Sequence, residues 1–298
     1  MTAVAVTPRS FRQTPGEHLA RLEALDVRFP EQDRPLDEGE MIALVDGCAG
    51  LIVGVDPVTR RVLDAGPLRV VVKYGSGMDN IDIATAEGLG VKVSSTPGAN
   101  ARSVAELAIA LLLALARDVG HHDRSVRAGS WNRRTGIELA GKRLGLVGYG
   151  AVGRQVARIA RGLDMDVVAH DPFVEEADVP LVSLEEVLEE SDAVSLHLPL
   201  TAETRGLIDA HALGRMKAGA FLVNTARGGL VDEAALADAL RRGWLAGAAL
   251  DGFDAEPPAG SPLLALENVV LSPHAGAATI EAVRRTAAQA VDQLLRDL

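Results

Sequence analysis

The sequence predicts an α/β protein built from two doubly wound parallel sheets. Short runs rich in β-branched and aliphatic residues alternate with segments of helical spacing along most of the 298 residues. This alternation is typical of open parallel sheets that are covered by helices. A glycine-rich turn follows one of the runs near the middle of the chain, and the last segment is helical with no strand of its own. These observations predict two domains, the first of which is completed by the last helix.

The first domain is predicted over residues 1–98. Its β-rich runs are residues 3–6, 27–29, 50–53, 70–72 and 91–93. Thr14, Pro15 and Glu17 have the spacing of a helix start in which Thr14 is the N-cap. After the fourth run, Gly75 and Gly77 expose the backbone N–H groups of Ser76 and Gly77, which form a small nest suited to a carboxylate. The alternative, without a ligand, is a tight turn in which Asp79 and Asn80 cap the next helix.

The second domain is predicted over residues 99–276, and residues 277–298 return to the first domain as a helix. The second domain opens with residues 101–117, which are apolar on nearly every side and predict a buried helix. Six β-rich runs follow at residues 142–147, 167–170, 193–196, 220–223, 247–250 and 269–271. Six strands with helices between them suit a doubly wound nucleotide-binding domain.

The glycine turn has the features of a dinucleotide site. Gly148 permits a tight turn, Gly150 lets the backbone approach a pyrophosphate, and Gly153 lets the following helix pack closely on the strand. Asp171 lies 18 residues beyond Gly153, at the end of the next strand. A carboxylate there accepts hydrogen bonds from both ribose hydroxyls and repels a 2′-phosphate, so the pattern favours NAD over NADP. The alternative is a purely structural turn between strand and helix.

The composition limits which partners the protein can bind and in which cell compartment it works. The net charge of -11 at pH 7 argues against a nucleic-acid partner. Cys48 is the single cysteine, so neither an intrachain disulfide nor a thiolate zinc cluster can form, and no metal site is predicted. The longest apolar run, residues 107–116, is too short to span a membrane. We therefore expect a cytoplasmic protein with no membrane partner.

Three residues at the carboxyl ends of predicted neighbouring strands form a candidate catalytic set. Arg227 can hold a carboxylate in bidentate fashion. Glu256 and His274 can form a pair in which the acid orients the imidazole and raises its pKa, so that the ring exchanges a proton near neutral pH. Hydride transfer from a secondary alcohol to nicotinamide needs a proton acceptor, a carboxylate anchor and a cofactor. Taken alone, His274 is better interpreted as a structural histidine and Arg227 as part of a surface ion pair, and it is their position at neighbouring strand ends that favours catalysis. For His197, cofactor contact and packing are equal alternatives.

Seven segments, in order, resemble the signatures of the D-2-hydroxyacid dehydrogenase family, and in particular its phosphoglycerate dehydrogenase-like members. They are residues 73–82, residues 104–107, the glycine turn with Asp171, residues 197–201, residues 224–228, Asp251 with Glu256 and Pro257, and residues 273–276. The resemblance covers nearly the whole chain. It implies an NAD-dependent homodimer with a Rossmann coenzyme domain inserted in a flavodoxin-like substrate domain.

The resemblance also implies a role for each matching residue. Arg227, Glu256 and His274 would be catalytic, and Ser76 and Gly77 would bind the substrate carboxylate together with Arg227 and His274. The remaining matches would bind the cofactor: Gly148, Gly150, Ala151, Val152, Gly153, Asp171, Pro199, Thr204, Thr225, Ala226 and Asp251.

The sequence leaves the substrate open among small D-2-hydroxy acids and their 2-oxo acids, of the 3-phosphoglycerate, glycerate/hydroxypyruvate or glyoxylate type. Phosphoglycerate-oxidising relatives often carry a basic residue near position 53, whereas residues 53–55 are uncharged here. Lys73 is an alternative source of positive charge for a substrate phosphate. A Lys73 that is solvated and contacts no substrate is an equally good interpretation. Two other functions stay open, a non-catalytic NAD-sensing scaffold and a dehydrogenase of the same fold acting on a phosphonate-type substrate.

Overall fold

The computed structural model describes residues 1–32 and 34–298. The chain forms two compact units, Met1–Asn100 with Ala277–Leu298 and Ala101–Gly276. Each unit contains one parallel sheet with helices between its strands, which confirms the predicted fold class. Among the described residues, no helix combines the length and the apolar character needed to cross a bilayer.

The strands are short and every pairing between them is parallel. They are β1 (Ala3–Val6), β2 (Asp26–Arg28), β3 (Gly50–Val53), β4 (Val70–Lys73), β5 (Lys92–Ser95), β6 (Arg143–Val147), β7 (Asp166–His170), β8 (Ala193–Leu196), β9 (Phe221–Asn224), β10 (Gly247–Leu250) and β11 (Val269–Leu271). The predicted runs match these strands to within two residues at each end.

The helices lie between the strands in sequence. They are α1 (Arg9–Gln13), α2 (Glu17–Ala20), α3 (Glu38–Val45), α4 (Arg60–Leu63), α5 (Ile83–Gly88), α6 (Ala101–Ala116), α7 (Val119–Arg127), α8 (Ala151–Arg161), α9 (Leu184–Glu190), α10 (Ala210–Arg215), α11 (Glu233–Arg241) and α12 (Ile280–Asp297). Two short 3₁₀ helices, Gly228–Leu230 and Pro262–Ala265, lie on either side of α11 and β10.

The sheet of the first unit has the order β2-β1-β3-β4-β5. This is the flavodoxin-like order, in which the winding direction reverses between the first and third strands. One face is covered by α12, whose Ala287, Ala290, Val291 and Leu294 join a buried cluster with Ile52 and other strand residues. Such a stripe at helical spacing buries against a sheet because it removes apolar area from water.

Two local predictions in the first unit are wrong. Thr14 does not begin a helix; it ends α1, with its N–H donating to the carbonyl of Ser10 at 3.1 Å, and α2 begins after Gly16. Asp79 and Asn80 do not cap α5 either. Asp82 is the N-cap, and its carboxylate accepts from the N–H of Thr85 at 3.0 Å. In both places several polar residues lie close together in sequence, and tertiary contacts decide which one becomes the cap.

The sheet of the second unit has the order β11-β10-β9-β8-β6-β7. The winding reverses between β6 and β8, so the turn after β6 lies at the switch point where ligands bind in open α/β sheets. Alternate residues of β9 face opposite cores, with Leu222 in one cluster and Phe221 and Val223 in the other. The helix α6 is buried along most of its length, as predicted, and packs on α8 and on this sheet.

Leu294 and Leu295 are adjacent on α12 and test how much this helix stabilises the first unit. Leu294 is 0% exposed and Leu295 is 40% exposed. We expect Leu294→Ala to lower the free energy of unfolding by about 2–5 kcal/mol, because it leaves a cavity in a packed cluster. Leu295→Ala, the matched control with the same change in helix propensity, is expected to cost less than about 0.5 kcal/mol. Urea unfolding curves measure both, and equal losses would contradict this account of α12.

Candidate active site

The glycine turn after β6 depends on two glycines for steric reasons. Gly148 has φ of +95°, and a Cβ there would lie 2.4 Å from the carbonyl oxygen of His197. A Cβ on Gly153 would lie 2.3 Å from the carbonyl oxygen of Gly148. Neither clash can be relieved by a side-chain rotation, because both involve backbone atoms. These two glycines therefore set the sharp turn and the close approach of α8 to it.

Gly150 differs from the other two glycines because it faces open space. A Cβ on Gly150 would meet no atom of the described residues within 4 Å. Gly150 is also the N-cap of α8, and no side chain of the described residues caps this helix. The first N–H groups of an 11-residue helix thus point toward a space that a side chain would fill. This arrangement fits a pyrophosphate, which such a helix terminus binds through its N–H groups and dipole.

Asp171 is held in place by the backbone on both sides of it. One oxygen accepts from the N–H of Tyr149 at 2.8 Å, and the other accepts from the N–H of Phe173 at 3.0 Å. A carboxylate has about four acceptor positions. The two backbone bonds leave the others for the two ribose hydroxyls that the sequence predicts for this residue.

Tyr149 contributes to the turn in a way that the sequence did not predict. Its ring is fully buried, and its hydroxyl donates to Asp178, which also pairs with Arg161. Burial, followed by the hydrogen bond and charge of Asp178, raises the pKa of Tyr149 to about 12. The hydrogen bonds from Tyr149 and then Arg161 lower the pKa of Asp178 to about 2. The residue between the two turn glycines thus fastens the turn to the segment that follows Asp171.

The residues after β8 form a compact turn. The hydroxyl of Thr204 donates to the carbonyl of Pro199 at 2.7 Å and accepts from the N–H of Thr201 at 2.8 Å. His197 contacts the hydroxyl of Ser195 through Nε2 at 2.9 Å, and burial lowers the pKa of His197 to about 3. A ring that stays neutral is unsuited to proton transfer near neutral pH, but its Nδ1 is buried with no hydrogen-bond partner among the described residues, so packing and cofactor contact both stay open for His197. Cofactor contacts of Pro199 and Thr204 stay predictions.

Arg227 lies on a loop whose shape is set by Asn224, the last residue of β9. The fully buried amide of Asn224 donates to the carbonyl of Arg227 at 2.7 Å and accepts from the N–H of Ala226 at 3.0 Å. A Cβ on Gly228 would lie 1.9 Å from the carbonyl carbon of Phe253, so only glycine fits there. The loop that carries Arg227 therefore packs tightly against the loop that follows β10. Thr225 and Ala226, the predicted cofactor residues, lie in the same loop.

Glu256 and His274 form the pair that the sequence predicts. Nδ1 of His274 lies 2.8 Å and 3.0 Å from the two carboxylate oxygens of Glu256. One of these oxygens also accepts from the N–H of Phe253 at 3.1 Å. Both side chains stay partly exposed, at 39% for His274 and 38% for Glu256. With Nδ1 directed at the carboxylate, Nε2 is the ring nitrogen left to exchange a proton with a substrate.

The pKa values of the pair move in opposite directions. The hydrogen bond that His274 donates to Glu256 raises the pKa of His274. Together with the negative charges of Glu256 and Asp251, it outweighs burial and the positive charge of Arg227, which act to lower this pKa. For Glu256, burial acts to raise the pKa, but the hydrogen bond and charge of His274 lower it overall. The pair therefore favours an imidazolium beside a carboxylate. This state suits His274 as a proton donor near neutral pH.

Asp251 fixes the backbone around His274. Its buried carboxylate accepts from the N–H groups of Ala275 at 2.7 Å and Gly276 at 2.8 Å. His274 has φ of +52°, a left-handed conformation that costs a non-glycine residue roughly 1–2 kcal/mol. Hydrogen bonds to a charged group contribute about 1.5–3 kcal/mol each, so the two bonds to Asp251 outweigh this strain. A nicotinamide contact of Asp251 stays a prediction, whereas its role in holding the turn is observed.

In the first unit, Ser76 and Gly77 follow β4, at the carboxyl edge of that sheet. The preceding Gly75 has φ of +127° and donates to the hydroxyl of Thr96 at 2.7 Å. Lys73 is buried rather than solvated. Its ammonium donates to the carbonyl of Gly54 at 2.5 Å and to the amide of Asn80 at 2.6 Å.

The chain is similar to a group of named oxidoreductases. The family description "D-isomer specific 2-hydroxyacid dehydrogenase, NAD binding domain" matches residues 109–276. Hydroxypyruvate reductase of Thermotoga maritima is 41% identical over 272 residues, which cover 88% of this chain and 89% of that protein. Glyoxylate reductase of Korarchaeum cryptofilum is 42% identical over 305 positions, which cover 97% and 92%.

Two further similarities concern a longer protein and a solved structure. D-3-phosphoglycerate dehydrogenase of Archaeoglobus fulgidus is 48% identical over 223 residues, which cover 72% of this chain but 42% of that protein. The crystal structure of the TT0316 protein from Thermus thermophilus matches with a TM-score of 0.91 and 42% identity, covering 99% of this chain and 96% of the other.

The Glu256–His274 pair generates a direct test that needs no substrate. Glu256→Gln removes the negative charge while keeping a side chain of similar size, so we expect the pKa of His274 to fall toward or below its ordinary value. NMR titration of the histidine ring protons measures this, with the His274 signal assigned by its loss in His274→Gln. An unchanged pKa of His274 would show that the carboxylate does not stabilise the imidazolium.

Proposed function

Because this chain belongs to the D-isomer specific 2-hydroxyacid dehydrogenase family, and is therefore an NAD-dependent oxidoreductase of small D-2-hydroxy and 2-oxo acids, we propose that it reduces unphosphorylated 2-oxo acids of the hydroxypyruvate or glyoxylate type. The observation that carries the proposed reduction is the contact of Glu256 with Nδ1 of His274 at 2.8 Å. It leaves Nε2 of His274 to act as the proton donor.

The proposed chemistry assigns one task to each of three side chains. Arg227 holds the substrate carboxylate and polarises the keto oxygen through its guanidinium. His274 gives the proton from Nε2 to the keto oxygen, and Glu256 stabilises the imidazolium before that transfer. Bound NADH supplies the hydride. The sum is 2-oxo acid, NADH and one proton converted to 2-hydroxy acid and NAD⁺, and the oxidation reverses each step.

The cofactor residues follow from the fit at the glycine turn. We assign the pyrophosphate to the N-terminus of α8, at Gly150, Ala151, Val152 and Gly153, and the ribose hydroxyls to Asp171. The open space at Gly150 and the backbone-held carboxylate of Asp171 support this assignment. Gly148 shapes the turn. In the same proposal, Pro199, Thr204, Thr225, Ala226 and Asp251 form the rest of the cofactor site.

The preference for unphosphorylated acids rests on the first unit. Ser76 and Gly77 are assigned to the substrate carboxylate through their backbone N–H groups. Residues 53–55, at the end of β3, are uncharged, and the ammonium of Lys73 is bound to Gly54 and Asn80. The relatives that match over about nine-tenths of their own length bear the names hydroxypyruvate reductase and glyoxylate reductase. These observations support a small substrate without a phosphate.

We also propose that the protein is a homodimer that works in the cytoplasm. Several large apolar side chains of the second unit are exposed around α7, among them Val119, Val126 and Trp131. A second copy of the chain would remove this area from water. The buried thiol of Cys48 needs no oxidising compartment. Sedimentation velocity that finds only a monomer would contradict the dimer, and fractionation of the producing cells tests the compartment.

The proposed function is tested by NADH oxidation with purified protein and a panel of 2-oxo acids. We expect turnover of glyoxylate or hydroxypyruvate and much weaker turnover of phosphohydroxypyruvate. His274→Ala is expected to lower kcat about 10²- to 10⁴-fold, the usual range for a general acid. His211→Ala, which changes an exposed histidine of the same unit, is the control and should retain kcat.

Two outcomes would contradict this proposal. A clear preference for phosphohydroxypyruvate would overturn the assignment of an unphosphorylated substrate. Full turnover by His274→Ala would overturn the assignment of the proton donor.

A further inference from the structure

The loop that carries Glu256 is exposed and has little packing to hold it. Residues 254–257 and 259–260 are exposed, and only Pro258 between them is partly buried. Several of these residues line an open groove of about 510 Å³, together with Glu233 and its neighbours at the start of α11. Since apolar burial cannot fix such a segment, its position depends on its hydrogen bonds.

One carboxylate of α11 holds this loop near both of its ends. Glu233, the first residue of α11, accepts from the N–H of Asp254 at 3.1 Å through one oxygen. Its other oxygen accepts from the hydroxyl of Ser261. The two contacts lie two residues before Glu256 and five residues after it. Glu233 therefore connects the two ends of the loop from the first turn of α11. The helix dipole also stabilises a negative charge at this position.

The first of these contacts lies beside the catalytic pair. The N–H of Asp254 is adjacent in sequence to the N–H of Phe253, which donates to Glu256 at 3.1 Å. Asp254 also forms an ion pair with Arg205 at 3.7 Å, but both side chains are well exposed, so that pair contributes little. Hydrogen bonds on two neighbouring residues of the backbone, 253 and 254, thus connect Glu233 with Glu256, which in turn contacts His274.

We propose that Glu233 is a positioning residue that holds the carboxylate of Glu256 against Nδ1 of His274, an inference that rests on the proposed function for its effect on turnover. Glu233 itself is not expected to touch substrate or cofactor. It acts through Glu256: when the loop is released, the carboxylate moves away from the imidazole. The imidazolium then loses its partner, and the proton donor is less often charged near neutral pH.

The decisive readout is the pKa of His274, measured by NMR titration of the intact protein in three variants. The charged groups that face His274 are Glu256, Arg227 and Asp251, and none of them is changed. Glu233→Ala removes both contacts to the loop. Glu233→Gln removes the same charge, but its oxygen can still accept from Asp254 and its amide can donate to Ser261. Glu185→Ala removes an exposed first-turn glutamate from α9 and is the control for the helix terminus.

We expect Glu233→Ala to lower the pKa of His274 and to reduce kcat on the order of 10-fold, as a small misplacement of a catalytic group does. The Kd of NADH should not change. Glu233→Gln and Glu185→Ala should resemble the unaltered protein in both readouts. If Glu233→Ala does not fold, Ser261→Ala removes one contact from the loop side, and a smaller lowering of the same pKa is expected.

Three results would overturn the proposal. One is an unchanged pKa of His274 in folded Glu233→Ala, or in Ser261→Ala if Glu233→Ala does not fold, even if thermal stability falls. The second is an equal lowering in Glu233→Gln, which would make charge rather than position the cause. The third is an equal lowering in Glu185→Ala. Absence of turnover by the unaltered protein on every 2-oxo acid would instead contradict the proposed function, and the titration would still decide the role of Glu233.

Discussion

The parallel pairing of the second sheet is the constraint on which the candidate site depends. Because β6, β8, β9, β10 and β11 run in the same direction, their carboxyl ends meet at one edge. The glycine turn, the Arg227 loop, the Glu256 loop and the His274 turn each follow one of these strands. A reversal of any strand would remove its residue from the edge, so the chemistry follows from the topology.

The strand ends bring the loops together but do not set the distances between their atoms. Polar side chains that hydrogen-bond to the backbone of these loops fix their shape. Asn224 shapes the Arg227 loop, Asp251 holds the turn after His274, and Glu233 spans the loop of Glu256. Each lies on or next to a regular element, which fixes its backbone. The bonds that such side chains accept from N–H groups are stronger when the acceptor is charged. The reactive side chains themselves stay partly exposed, which leaves them accessible to ligands.

The two sheets, their strands and the Glu256–His274 contact were predictable from the sequence, because each depends on local patterns or on residues at strand ends. The supporting residues were not predicted. Nothing in the local sequence shows that Tyr149 bonds Asp178 or that Glu233 reaches Ser261, since these contacts join segments 29 and 28 residues apart. The N-caps of α2 and α5 were missed for a related reason. Several residues there had suitable chemistry, and packing rather than local preference selected among them.

The partners of the charged Lys73 were likewise not predictable from the sequence. A lysine after a strand predicts either a solvated cation or a ligand for an acidic group, and sequence alone does not decide between them. In the structure its ammonium bonds to Gly54, in the loop after β3, and to Asn80, in the loop between β4 and α5. Burial of a charge requires such partners. The contacts therefore join the end of β4 to the two loops that follow β3 and β4, a role that depends on how these loops fold rather than on the residues beside Lys73.

The central claim is that His274, held by Glu256, carries the proton in both directions of the reaction. The most direct measurement is the pH dependence of kcat for reduction and for oxidation of one 2-oxo acid and 2-hydroxy acid pair. Reduction needs the imidazolium and should fall as pH rises through the pKa of His274, whereas oxidation needs the neutral ring and should rise over the same range. The account would be contradicted if kcat changed with pH in the same direction for both reactions. It would also be contradicted if the change fell in a pH range where His274 does not titrate.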